Sequence, residues 1–304
     1  MPRIFLRRAI RLVITCLGIS LITFSLMHLT GDPAAMLLPE AIEADRARLR
    51  EVMGLNDPIP LQYAQFVRNA VLGDFGQSFF HKSPALPLVL ERMPTTVTLT
   101  VLALALALLV AVPAGIYTAV RRNSLSDHVV TVTVFLGQSM PVFWTGIMLM
   151  LLFAVQWRLL PVSGWGDWRF WILPAITLGT FQMPLLTRIV RSSMLEVLGL
   201  EYMRTARAKG LREWGVICRH GLVNAALPVV TVTGLQFGIL LGGAVITESV
   251  FAVPGVGRLI VRSIIQLDFP VVQAGVFMLA MIIVTMNFLV DLVYVYLNPQ
   301  VRIQ

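Results

Sequence analysis

Six apolar runs divide this 304-residue chain: Ile10–Met27, Val97–Val120, Val129–Val155, Ile172–Ile189, Leu227–Ala252 and Val271–Tyr296. Crossing the hydrocarbon core of a bilayer as a helix takes about 20 such residues. Inside lipid, every backbone N–H and C=O must find its partner within the protein, so spans of this kind become helices. Composition agrees, since 57% of the residues are hydrophobic and only 13% charged, against roughly 25% charged in a soluble domain. The chain reads as an all-α integral membrane protein with six transmembrane helices. Gly137 and Pro141 interrupt the third run, which predicts a kink there.

The placement of charge orients the spans. The net charge is +8, and Arg supplies 22 of the 24 basic residues. These Arg residues sit between the apolar runs rather than on one arm or face, where lipid headgroups and topology explain them equally well, and the reading is of no nucleic-acid partner. With the amino terminus placed in the cytoplasm, the inner segments hold 14 basic residues and four acids, and the outer ones hold ten of each. The bias matches the positive-inside rule and puts both termini in the cytoplasm. The first run is longer than the apolar core of a signal peptide and lacks a small-x-small site before Gly31-Asp32-Pro33, so it reads as an uncleaved helix.

Four parts follow: an N-terminal span over 1–29, an extracytoplasmic helical cap over 30–95, a five-helix domain over 96–296 and a cytoplasmic tail over 297–304. In the cap, Ile42, Leu49 and Met53 share one helical face, and Tyr63, Phe66, Val67 and Ala70 share another. Asn56-Asp57-Pro58 marks the turn between them. A cytoplasmic loop over about 190–226 carries helix formers up to Gly210, which suits a helix end. A second helix resumes near Trp214 and ends before Pro228.

Catalytic constellations are missing from the sequence. It contains no G-x-x-x-x-G-K-[ST] phosphate loop and no G-x-S-x-G elbow, and its four His residues are scattered. Cys218 and His220 have no further pair at zinc spacing. The reading is therefore not an enzyme, with no cofactor and no metal. Within the spans, Asp291 and Glu248 are the ionisable residues to weigh, because a charge in lipid is costly and usually functional. An ion-coupled secondary transporter working through Asp291 is the alternative from another class. Gly238 and Gly242 form a G-x-x-x-G face suited to helix packing or a subunit contact.

The cytoplasmic loop carries a resemblance. Glu201-Tyr202-Met203-Arg204-Thr205-Ala206-Arg207-Ala208-Lys209-Gly210, then His220-Gly221-Leu222-Val223-Asn224-Ala225 and Leu227-Pro228, resembles the loop of binding-protein-dependent ABC importer permeases, in their dipeptide, oligopeptide, glutathione and nickel branch. Gly31-Asp32-Pro33, Gly73-Asp74-Phe75-Gly76-Gln77-Ser78, Ser139-Met140-Pro141-Val142-Phe143-Trp144, Pro254-Gly255-Val256-Gly257-Arg258 and Asn298-Pro299 extend it over the whole chain. Aligned on Gly210, the family's Glu-Ala-Ala falls on Arg204, Thr205 and Ala206, its Ile falls on His220, and its Leu-Pro arrives five residues late.

The resemblance implies the type I ABC importer permease fold, with the cap as an insertion after the first helix. It implies a bacterial or archaeal inner membrane, a second homologous permease, two ATPase subunits that hydrolyse ATP, and an extracytoplasmic solute-binding protein delivering small peptides or a related solute. It makes Glu201, Arg204, Thr205, Ala206, Arg207, Ala208, Lys209 and Gly210 the coupling element. The small Ala206 and Ala208 would then lie close in an ATPase groove, with Arg204, Arg207 and Lys209 at its rim.

Overall fold

The computed structural model describes residues 10, 13–25, 34, 35, 42–52 and 54–297. Among these the chain is helical almost throughout, and its extended pairing is one bridge between Gln77 and Pro84. The helices are α1 (Val13–Ser25), α2 (Glu43–Val52), α3 (Ile59–Val71), α4 (Ala85–Val120), α5 (Leu125–Leu136) and α6 (Val142–Gln156). They continue as α7 (Arg169–Thr180), α8 (Met183–Leu198), α9 (Glu201–Ala208), α10 (Glu213–Val250), α11 (Val256–Ile265) and α12 (Phe269–Leu297). Helix α4, helix α10 and the Phe269–Val290 part of α12 are long and apolar enough to cross a membrane, and α7 with α8 makes a fourth candidate bent by 57°.

Proline and glycine explain where the helices depart from the apolar runs. Helix α4 starts at Ala85, because Pro87 falls in its tolerant first turn and the charged Glu91 and Arg92 hide that stretch from a hydropathy reading. The third run divides at Gly137–Pro141 into α5 and α6, each short of a full crossing. The fourth run, expected as one helix, breaks at Phe181–Gln182, since Pro184 has no N–H to give the Thr180 carbonyl. Pro228, expected to stop a helix, lies inside α10, with a widened π-turn over Val216–Leu222 just before it. The two irregular joints meet: a Cβ on Gly137 would lie 3.3 Å from the Thr180 carbonyl oxygen.

By contact the chain divides into two units, residues 1–95 with 254–284 and residues 96–253 with 285–304. In the first unit, a ladder of rings joins α1 to α3 and beyond. Tyr63 meets Phe24 at 5.4 Å, Phe66 meets Phe24 at 5.9 Å and Phe75 at 6.4 Å, and Phe75 meets Phe277 at 5.5 Å. Tyr63 and Phe66 thus use the face that the sequence spacing assigned them. Leu49 has its side chain, and Met53 all its atoms, outside the described residues. Asp268 is fully buried and accepts from the Ser78 hydroxyl at 2.5 Å and the Phe79 N–H at 3.0 Å. These bonds satisfy a carboxylate that would otherwise be too costly to bury.

The second unit packs through small residues. Ala103, Ala107, Ala111, Gly115 and Ala119 recur every four positions along α4, and all are buried. That spacing places them on one face, where neighbouring backbones can approach closely. A Cβ on Gly115 would lie 2.6 Å from Val190, and one on Gly179 would lie 2.7 Å from the Ala103 carbonyl oxygen. Leu99, Ala103, Ala175, Leu178, Leu240 and Ala244 form one core cluster of α4, α7 and α10. Val190, Met194, Val197, Met203, Ala206, Val216 and Ile217 belong to another, beneath α9.

Candidate functional site

The site is built around α9, the short helix Glu201–Ala208. Leu200 enters it in an extended conformation, with ψ 149°, so the chain turns sharply away from α8. Two residues face inward. Met203 is fully buried and Ala206 is 8% exposed, both inside the cluster of Met194, Val197, Val216 and Ile217. Gly221 of the π-turn makes room for this anchor, since a Cβ there would stand 3.2 Å from the Met194 methyl and 3.4 Å from the Met203 methyl. The Tyr202 hydroxyl reaches the His220 carbonyl at 3.5 Å, and the Asn224 amide donates to the same carbonyl at 2.7 Å.

Gly210 ends the element. Its φ of +74° lies in the left-handed region, which a residue without a side chain adopts freely. Its N–H closes on the Arg207 carbonyl at 2.9 Å, and the Lys209 N–H closes on Thr205 at 3.1 Å. No described residue lies within 4 Å of where its Cβ would be. The requirement for glycine here is conformational, not steric.

The outward face is charged and uncovered. Glu201, Arg204, Thr205, Arg207, Ala208, Lys209 and Gly210 are all exposed. Arg204 pairs with Glu201 at 2.9 Å across one helical turn, and both side chains are more than two-thirds exposed. Arg207 holds Glu213, at the start of α10, through contacts of 3.0 and 3.2 Å. Exposed pairs of this kind add little stability, but they orient the guanidinium groups. The expectation that Ala206 lies against a partner is corrected: its place is the inner face, and only Ala208 of the two small residues is presented outward.

The other sequence candidates are scattered. Glu248 is fully buried and accepts a hydrogen bond from the Thr96 hydroxyl at 2.6 Å, so it lines no open cavity. Gly238 is buried, but no described residue comes within 4 Å of a Cβ on Gly242. The tight approaches of α10 are instead at Gly234, against Val290, and at Gly243, against Leu178. The side chain of Asp291, the strings Gly31-Asp32-Pro33 and Asn298-Pro299, and the tail after 297 lie outside the described residues. Sequence reasoning missed the anchor Met203 and the ion pair of Asp127 with Arg191, 2.6 Å apart. Met203 was legible as the apolar residue three places before Ala206, whereas nothing local connects Asp127 to Arg191.

Comparison with known proteins gives these features a context. Residues 111–303 match the family "Binding-protein-dependent transport system inner membrane component", and residues 1–100 match its N-terminal companion, "Binding-prot-dependent transport system membrane comp, N-term". The chain is 41% identical to the dipeptide transport system permease protein DppB of Escherichia coli K12, covering 98% of each chain. It is 40% identical to the glutathione transport system permease protein GsiC of Salmonella choleraesuis, again over 98% of each. Two inward-facing structures of the MetNI methionine ABC transporter share the fold, with TM-scores of 0.57 and 0.61 at 16% and 17% identity, over 69% of this chain and 96% of theirs. These matches set aside the ion-coupled carrier. The chain belongs to the binding-protein-dependent transport system inner membrane components, the permease subunits of ABC importers.

Proposed function

We propose that this permease carries small peptides, or a solute of similar chemistry, and pairs with a second, homologous permease. Two separate ATPase subunits hydrolyse ATP, and an extracytoplasmic binding protein delivers the solute. The dipeptide and glutathione systems of its relatives support the substrate class. Six spans with both termini in the cytoplasm fit the charge bias, and residues 30–95 form the outer cap that helps seat the binding protein.

Helix α9 is the element on which an ATPase subunit docks. The observation that carries this reading is its two-sidedness: Met203 and Ala206 fix it to its own chain, while Arg204, Thr205, Arg207 and Ala208 are presented outward. A push on the exposed face passes directly into the core cluster that contains α8 and α10 residues. The test is Ala208→Glu and Gly210→Val in the complete complex, reconstituted with its binding protein. Both variants are expected to insert and to retain the ATPases, but to lose solute uptake per ATP hydrolysed. Uptake per ATP at the unmodified level in both would overturn the role of α9.

A further inference from the structure

A groove of 430 Å³ runs along the second unit between α4 and α7. Thr98, Leu102 and Leu106 form one wall, at a spacing of four residues, and Trp168, Trp171, Ile172 and Ala175 form the other. Each wall follows its helix for two turns, roughly 12 Å at the rise of an α-helix. The lining is aliphatic and aromatic apart from the Thr98 hydroxyl, so the groove suits most of the length of an extended hydrocarbon chain, which takes about 15 Å in one leaflet of a bilayer.

Its mouth is different in kind. The ring centres of Trp165 and Trp171 lie 3.6 Å apart, and Trp168, on the same wall, is exposed. Trp gathers where hydrocarbon meets headgroups, because one end of the ring system is apolar and the other hydrogen-bonds. The Arg169 guanidinium carbon stands 5.7 Å from the centre of the Trp168 ring. Asp167, two residues away, uses one carboxylate oxygen to accept the Trp168 N–H at 2.6 Å. Asp167 and Arg169 are both exposed, and neither forms an ion pair among the described residues. One exposed charge of each sign therefore flanks Trp168, the residue that lines one end of the apolar slot.

We propose that this groove is a binding site for a zwitterionic aminophospholipid. One acyl chain lies between α4 and α7, the phosphate meets Arg169, and the primary ammonium meets Asp167. A phosphate accepts several hydrogen bonds from a guanidinium, and an ammonium offers three donors to a carboxylate. A purely anionic headgroup leaves Asp167 opposed to charge of its own sign. A trimethylated amine has no N–H to donate to it. Both features select the ethanolamine headgroup over glycerol and choline.

The experiment takes the complete transporter complex into nanodiscs of equimolar phosphatidylethanolamine, phosphatidylcholine and phosphatidylglycerol, and counts retained lipid by native mass spectrometry. A photoreactive phenylalanine analogue at Leu106 reports what occupies the groove. Retention of phosphatidylethanolamine is expected, with photocrosslinks to that lipid. Arg169→Gln is expected to lower its occupancy about fivefold, the weight of one cationic contact with a headgroup. Ala175→Trp fills the slot and is expected to abolish the crosslink. Should Ala175→Trp fail to assemble, Asp167→Asn provides the second reading, with the preference for ethanolamine over choline lost. Equal retention of the three lipids, preference for phosphatidylglycerol, or crosslinking to a second permease subunit would each overturn the assignment.

Discussion

Arg191 of α8 donates a hydrogen bond to Asp127 of α5 across 2.6 Å, into a carboxylate only 3% exposed. The same carboxylate accepts the Asn123 N–H at 3.0 Å and the Thr131 hydroxyl at 3.3 Å. Asn123 itself takes a φ of +62° to bring its N–H round. Arg191 stands one turn from Met194, which touches the α9 anchor cluster. The pair therefore locks the turn between α4 and α5 to the helix that leads into α9.

Breaking that lock from either side leaves a charge without its partner. Arg191→Gln or Asp127→Ala is expected to destabilise the permease by about 1–3 kcal/mol, the cost of leaving a partly buried polar group without its partner. Thermal unfolding in detergent checks this, and a melting temperature unchanged in both variants would contradict it.

Met203→Ala removes the largest side chain that fixes α9. A cost of roughly 2–4 kcal/mol follows from the cavity left behind. Ala206→Glu is expected to be worse, since it drives a carboxylate into the same apolar cluster. Protease sensitivity between Leu198 and Gly210 should rise in both. Protection equal to that of the unaltered chain would show that α9 is held by something else.

The two faces of glycine packing are separable. Gly115→Ala places a methyl group 2.6 Å from Val190 and 2.9 Å from the Thr187 carbonyl oxygen, and overpacking of this kind costs about 1–3 kcal/mol. Gly242→Ala meets none of the described residues within 4 Å and is expected to leave stability within about 1 kcal/mol of the original. Melting curves of the two variants, measured side by side, distinguish a packing role from a merely small residue.

Thr96→Val retains the shape of the side chain while withdrawing its hydroxyl from Glu248. The carboxylate then loses one of its buried hydrogen bonds, at a cost of about 1–3 kcal/mol. Thr96→Ser restores the donor and should recover most of that loss. Equal stability of the Val and Ser variants would mean that this bond contributes nothing.

Hydropathy was a sound guide to α4, α10 and α12, because long apolar runs in lipid have few alternatives to a helix. It failed at the ends and joints. Proline decided those, and its effect depends on position: Pro87 sits harmlessly in a first turn, Pro184 breaks a span, and Pro228 is absorbed within α10. Helical spacing located the Tyr63 and Phe66 face and the end of α9 at Gly210. The resemblance implies an outward Ala206, whereas its partners are Val216 and Ile217. Close packing follows the four-residue stripe from Ala103 to Ala119 of α4 rather than the G-x-x-x-G string at Gly238 and Gly242. Asp127 with Arg191 and Thr96 with Glu248 join positions 64 and 152 residues apart, and only the tertiary fold reveals such pairs.

The meeting of the two interrupted spans, at Gly137 and at Thr180, has a mechanical consequence. At the α7–α8 joint the backbone closes with one short bond, from the Gln182 N–H to the Gly179 carbonyl. The proline after it can offer nothing to Thr180. The Gln182 side-chain nitrogen is buried beside this joint without a hydrogen-bond partner among the described residues. An unbroken helix resists bending because each residue along it is tied to the next turn. Here three-residue turns, Gln138 and Ser139 N–H onto Phe135 and Leu136 at one joint and Gln182 N–H onto Gly179 at the other, interrupt the ladder in two adjoining helical spans. A swing of α8 against α7 sacrifices fewer bonds at this point than anywhere else along their length, and the stiff rods on either side convert a small change of angle into a large displacement at the far end of α8, where the chain turns into α9.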